Sequence, residues 1–141
     1  MVNLQAVEVM RLKVTLGEVK VVGTNGAGRL QVIPITGGTF NGENIEGKVI
    51  PGGADWNTAR VDGISHVFAK YLLETNDGEF IAIENEGLID PDSNSRIKTT
   101  PTFMANIDGK YSYLNQGVYV GELCGTPNVK DSVDIVIYKL H

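Results

Sequence analysis

Three features of the 141-residue chain predict an all-β fold: a single-domain antiparallel β-barrel of about eight to ten strands with at most one short helical turn. Apolar and polar residues alternate with a period of two along nine separate runs. Between the runs lie turn signals of recognised type: Thr24-Asn25-Gly26-Ala27-Gly28, Asn41-Gly42-Glu43-Asn44, Asn76-Asp77-Gly78 and Thr126-Pro127-Asn128. The 17 glycines, without a convincing amphipathic helix, suit a fold whose tight turns and bulges consume residues that tolerate positive φ. A closed barrel hides the edges that an open sheet exposes, and a two-sheet sandwich is the alternative.

The first run, residues 4–16, places Leu4, Ala6, Met10, Leu12, Val14 and Leu16 on one side and Gln5, Arg11, Lys13 and Thr15 on the other. The remaining predicted strands are 19–22, 28–40, 45–50, 65–75, 79–88, 97–107, 118–124 and 133–140. One helical turn is expected within 108–115. In the strand at 65–75, Val67, Ala69, Tyr71 and Leu73 form an inward face. His66, Phe68, Lys70, Leu72 and Glu74 form the outer face, with Lys70 and Glu74 within reach of partners on adjacent strands.

Composition narrows the function. A formal charge of −5 opposes a nucleic-acid partner, since no excess of Lys or Arg exists to displace counterions from a phosphate backbone. The start of the chain lacks a basic segment followed by an unbroken apolar run, so no membrane partner and a cytoplasmic location are expected. A lone Cys124 gives neither an internal disulfide nor a multi-cysteine metal site. There is no His pair at metal-ligand spacing, no nucleophile elbow and no phosphate-binding loop; GTNGAGR (23–29) reads as a hairpin turn, and no cofactor is called for.

The candidate site residues are polar ones that interrupt apolar faces, because burying them unpaired costs about 2 kcal/mol or more. Glu8 sits between Ala6 and Met10 and either lines a cavity, reaches an opening or is turned outward by a bulge. Asn85 continues the face of Ile81 and Ile83. VIPGGADWNTARVDG (49–63) carries more special chemistry than a turn requires. Its Gly52 and Gly53 allow a sharp bend that would bring Asp55 and the lone Trp56 to the rim or inner wall, where a carboxylate and an indole could serve a ligand or merely cap backbone and plug the barrel end.

GRLQVIPITGGTFNG (28–42), VIPGGADW (49–56), YLLETNDGEFIAIENEG (71–87), TTPTF (99–103) and YLNQGVYVG (113–121) occur in an order that resembles the DUF3237 family, also called UPF0311, over nearly the whole chain. The resemblance implies a compact antiparallel barrel of mostly unassigned function. In the family pattern an acidic residue and an arginine flank the alanine that precedes the strand tyrosine, an arginine precedes the threonine of TTPTF, and a tryptophan precedes LN. Here those positions hold Phe68 and Lys70, Lys98 and Tyr113. Positive charge is kept at two of them without the planar fork of a bidentate carboxylate clamp, which leaves room for a different ligand.

Two functions are expected to compete. In one, the barrel holds a small organic molecule and performs acid/base chemistry of isomerase, lyase or cyclase type. Asp55 then acts as the proton-transfer residue with Glu8 in reserve, Trp56 and Tyr113 pack the substrate, and Asn85, Lys98 and Asn115 orient it or stabilise negative charge. In the other, the same pocket binds without chemistry, or the chain is a homo-oligomeric structural barrel. The placement of Glu8, Asp55, Lys98 and Asn115 discriminates between them: scatter over the outer surface speaks against the enzyme, and convergence on a closed apolar void favours a carrier.

Overall fold

The computed structural model describes residues 2–93 and 96–141. Nine strands follow one another: β1 (Ala6–Leu16), β2 (Lys20–Asn25), β3 (Gly28–Asn41), β4 (Glu46–Ala59), β5 (Ser65–Thr75), β6 (Phe80–Ile89), β7 (Ile97–Met104), β8 (Tyr119–Gly125) and β9 (Ser132–Leu140). All pairings are antiparallel, in the order β1-β9-β8-β7-β6-β5-β4-β3-β2. A further pairing of β1 with β3 closes eight strands into a barrel, and β2 extends β3 outside it. The predicted helical turn is a single 3₁₀ turn, Ser112–Asn115. No helix among the described residues is long and apolar enough to cross a membrane.

The alternation works as expected where it is regular. In β5, Val67, Tyr71 and Leu73 are buried while Lys70 and Leu72 are exposed. Lys70 and Glu74 meet cross-strand partners, Glu84 at 3.2 Å and Lys48 at 3.3 Å. GTNGAGR forms the β2–β3 hairpin, whose Ala27 N–H donates to the Asn25 side chain at 2.9 Å.

Bulges decide the rest. Pairing Glu8 with Tyr138 and Met10 with Ile137 leaves Val9 as an extra residue, so Met10 turns inward and Glu8 outward. The segment around PGG, expected to lie outside a strand, is the middle of β4. Ile50 pairs with Leu72 and Ala54 with Lys70, so three residues of β4 face one of β5. Gly53 packs so closely on the Lys70 carbonyl and the Tyr71 backbone that a Cβ would collide with both. The glycines therefore build a bulge in a barrel wall rather than a free loop.

One half of the interior is solid. Met10, Phe40, Leu73, Ile81, Ile83 and Ile137 are essentially inaccessible, and each such side chain contributes about 1.5–3 kcal/mol by burial. Tyr111 and Leu114, around the 3₁₀ turn, and Tyr119 at the start of β8 join this core at the end where β7 gives way to β8. Phe103 meets the Tyr119 ring edge-on at 5.2 Å. The opposite half is not filled.

Candidate functional site: an apolar hollow in the open half of the barrel

A cavity of about 200 Å³ occupies the half of the barrel where β1, β4, β6 and β8 end. Leu16, Ile33, Asn57, Ile89, Leu123 and Val133 ring its mouth and are half-buried. Farther in, Val14, Ile35, Val67, Tyr71, Asn85 and Thr99 are buried.

Five polar side chains line this apolar hollow: Asn57 of β4 at the mouth, and Asp55, Tyr71, Asn85 and Thr99 on the successive strands β4 to β7. Asp55 of β4 pairs with Ala69 of β5, and Ala69 pairs with Asn85 of β6. Asp55 and Asn85 thus stand on either side of a methyl group, with about 10 Å between their strands and little between them to fill it. Tyr71 lies one inward position deeper along β5. Thr99 of β7, opposite Gly87 and Gly121, lies one inward position nearer the mouth. A Cβ at either glycine would collide with the Thr99 side chain, so these two bare positions make room for it.

Their hydrogen bonding is incomplete. Tyr71 Oη, Asn85 Oδ1 and Thr99 Oγ1 are all buried and lack partners among the described residues. Each such group costs about 1–3 kcal/mol, and native barrels seldom leave three on one cavity. Asp55 accepts a bond from the Phe68 backbone N–H at 3.1 Å. Burial pushes its carboxyl above the ordinary range, against the smaller opposing influences of that bond and of His66. Burial likewise pushes the Tyr71 phenol well above its ordinary value. The side chains that carry a carboxyl eased toward neutrality, two hydroxyls and an amide oxygen therefore line one apolar space.

A family model described as "Protein of unknown function (DUF3237)" matches residues 4–140. The chain belongs to the DUF3237 family. A UPF0311 protein of Clostridium acetobutylicum is 30% identical over 150 residues, which covers 94% of this chain and 92% of that one. A β-barrel-like protein from Acinetobacter baumannii superposes with a TM-score of 0.86 at 30% identity, covering 100% of this chain and 98% of its own. A protein from Penicillium herquei described as an enzyme shares the fold, with a TM-score of 0.78 at 24% identity over 99% of this chain and 94% of that chain.

Of the residues singled out in the DUF3237 sequence, the structure brings together Asp55 and Asn85. The period of two turns Trp56 and Lys98 away from them, a bulge turns Glu8 away, and Tyr113 and Asn115 lie in the 3₁₀ turn. Trp56, next to inward Asp55, faces out at 51% exposure, between Val32 and Phe68 on the neighbouring strands. Lys98, next to inward Thr99, also faces out and binds Glu122 at 3.1 Å. Glu8 forms an exposed two-bond pair with Arg11, which holds its carboxyl below the ordinary range. Tyr113 and Asn115 belong to the 3₁₀ turn at the filled end. Glu8, Asp55, Lys98 and Asn115 do not converge, since Asp55 alone of the four lines the hollow, and this counts against the acid/base constellation built on all four. The positions at which this DUF3237 chain departs from the family pattern, Phe68, Lys70, Lys98 and Tyr113, are likewise absent from the hollow's wall.

Asn115 has a structural task. Its side chain accepts from the Ala105 N–H at 2.8 Å and donates to the Ala105 carbonyl at 2.9 Å, tying the turn to the end of β7. Asn115→Ala is expected to lower stability by about 1–2 kcal/mol in urea unfolding, the scale for two exposed backbone bonds, and to leave ligand binding unchanged.

Tyr71 and Thr99 were missed as site residues. Tyr71 shares the inward face of β5 with Val67, Ala69 and Leu73, and Thr99 sits in TTPTF two positions from Ile97 on the same face. A hydroxyl on an inward face is the signal that marks both.

Proposed function

We propose that this DUF3237 barrel binds a small organic molecule in its half-empty interior. What carries the reading is that three side chains with buried, unpartnered polar atoms and the half-buried Asp55 carboxyl all line the same hollow. A ligand that completes those hydrogen bonds removes a standing cost to the fold, which makes binding favourable at modest contact area. Ligand-observed NMR with a set of neutral six-membered-ring compounds tests it. Members of the set are expected to bind the native protein and to bind at least tenfold more weakly to Ala69→Phe, whose ring would occupy the space between Asp55 and Asn85. Circular dichroism confirms that the variant is folded. Absence of binding to any compound, or binding that survives the filled hollow, overturns the reading.

A second reading adds acid/base chemistry, favoured by the presence of Asp55 in the same space as two hydroxyl donors. An Asp55 carboxylate with raised proton affinity takes a proton from a carbon beside a ligand carbonyl; the Tyr71 or Thr99 hydroxyl stabilises the enolate oxygen; Asp55 returns the proton elsewhere on the same ligand. Such a step is an isomerisation and needs no net redox change. The same fold is used by an enzyme in Penicillium herquei, which supports the barrel as a catalytic scaffold without specifying a reaction. Conversion of cyclohex-3-enone to its conjugated isomer, followed by ultraviolet absorbance, separates the two readings: a binder holds the ketone unchanged, and an isomerase shifts its double bond.

A further inference from the structure

The size, charge and hydrogen-bonding capacity of the hollow together narrow what it accepts. A cavity of about 150 Å³ in another protein admits benzene, so about 200 Å³ here fits one six-membered ring with one or two small substituents. A larger fused ring would have to displace the wall or protrude from the mouth.

Charge removes two classes. Among the described residues no lysine, arginine or histidine lines the hollow; Lys98 is engaged outside with Glu122, and His66 with Glu86. A carboxylate, sulfonate or phosphate would enter an apolar space beside Asp55 without a counter-charge on the wall, where desolvation of the ion opposes binding. An ammonium would find Asp55 but offers donors alone. It would leave the hydrogens of the Tyr71 and Thr99 hydroxyls without an acceptor.

Hydrogen-bond capacity sets the remaining requirement. Asn85 Oδ1 can accept and lacks a donor, while the Tyr71 and Thr99 hydroxyls carry hydrogens that lack an acceptor. Tyr71 lies toward the closed end and Thr99 toward the mouth, on either side of the row formed by Asp55, Ala69 and Asn85. One ligand meets all these demands if it presents an acceptor oxygen and a donor hydroxyl at different points on its ring.

We propose that the hollow selects a neutral, single-ring molecule carrying both a carbonyl-type oxygen and a hydroxyl group, such as a cyclic hydroxy ketone, over anions and amines of the same size. The proposal rests on the binding reading above and adds the chemical class. Four probes built on one ring test it by NMR titration at neutral pH: 4-hydroxycyclohexanone, cyclohexanone, cyclohexanecarboxylate and cyclohexylammonium. The hydroxy ketone is expected to bind at least tenfold more tightly than each of the others. In Asn85→Leu it is expected to lose that advantage over cyclohexanone. Tyr71→Phe is expected to weaken both ketones, and the variant should fold because it deletes an unpaired hydroxyl without changing the packing of the ring. Tightest binding of the carboxylate or the ammonium, or equal binding of the two ketones, overturns the assigned class while leaving a ligand-binding barrel. Failure of all four to bind the native protein overturns the class and counts against the binding reading as well.

Discussion

Gly38→Ala is expected to lower the stability of the barrel by about 3 kcal/mol or more, read as a fall in the urea midpoint at constant slope. Gly38 adopts φ 139°, a backbone region that side chains other than hydrogen rarely occupy. A Cβ there would also run into the Lys13 carbonyl oxygen, a backbone atom that cannot swing aside as a flexible side chain would. Lys13 belongs to β1, and the pairing of Val14 with Gly38 is part of the seam that closes the cylinder. Strain at this residue therefore acts on closure itself. Gly26→Ala supplies the comparison, because nothing lies within 4 Å of a Cβ at that turn. It is expected to change stability by less than about 0.5 kcal/mol. Equal stability of the two variants would show that the seam has more slack than its geometry implies.

Asp55→Asn is expected to abolish proton transfer on cyclohex-3-enone, by at least about 100-fold, while making the protein more stable at neutral pH. Amide and carboxylate have nearly the same shape, and the amide oxygen can keep the bond from the Phe68 N–H, now 3.1 Å from Asp55. What disappears is the buried titratable group. Because burial raises the Asp55 pKa in the folded protein, the native state holds its proton at pH values where the unfolded chain, near the reference value of about 3.9, has released it. The unfolded state then binds fewer protons, and stability falls as pH rises through the window from that reference value to the raised one. Asparagine pays no such penalty. The gain should be small below about pH 4 and reach its plateau once Asp55 is fully ionised, with a scale of about 1 kcal/mol typical of relieving a functional group. Thermal unfolding of both proteins across pH 4–8 reads it. A difference that does not change with pH would mean that Asp55 ionises in the folded protein as it does in the unfolded chain.

The strands were legible because a wall with one wet face and one dry face imposes its period of two on the sequence. β5, from Ser65 to Thr75, was delimited residue for residue and its faces assigned correctly. β4 was not. Its Pro51-Gly52-Gly53 segment breaks the alternation, and a bulge and a loop use the same glycine-rich residues. Once β4 is continuous, Asp55 and Trp56 must face opposite sides, so the indole could not share the carboxylate's environment. The same rule separates Lys98 from Thr99. Glu8 shows the converse, since counting by twos placed it inward and the extra residue Val9 turned it out.

By itself the sequence determined that this chain forms about nine amphipathic strands joined by tight turns, that Asn85 and Tyr71 belong to inward faces, and that no surplus of positive charge awaits a polyanion. Tertiary structure alone decided that β1 returns to β3 and closes the cylinder, that one half is packed solid and the other hollow, and that Asp55, Tyr71, Asn85 and Thr99 share that hollow. The reason is physical. Alternation is a local property recorded every two residues, whereas an empty space and an unpaired hydroxyl depend on what every surrounding strand fails to supply, and the strands that meet here run from Val14 to Ile135.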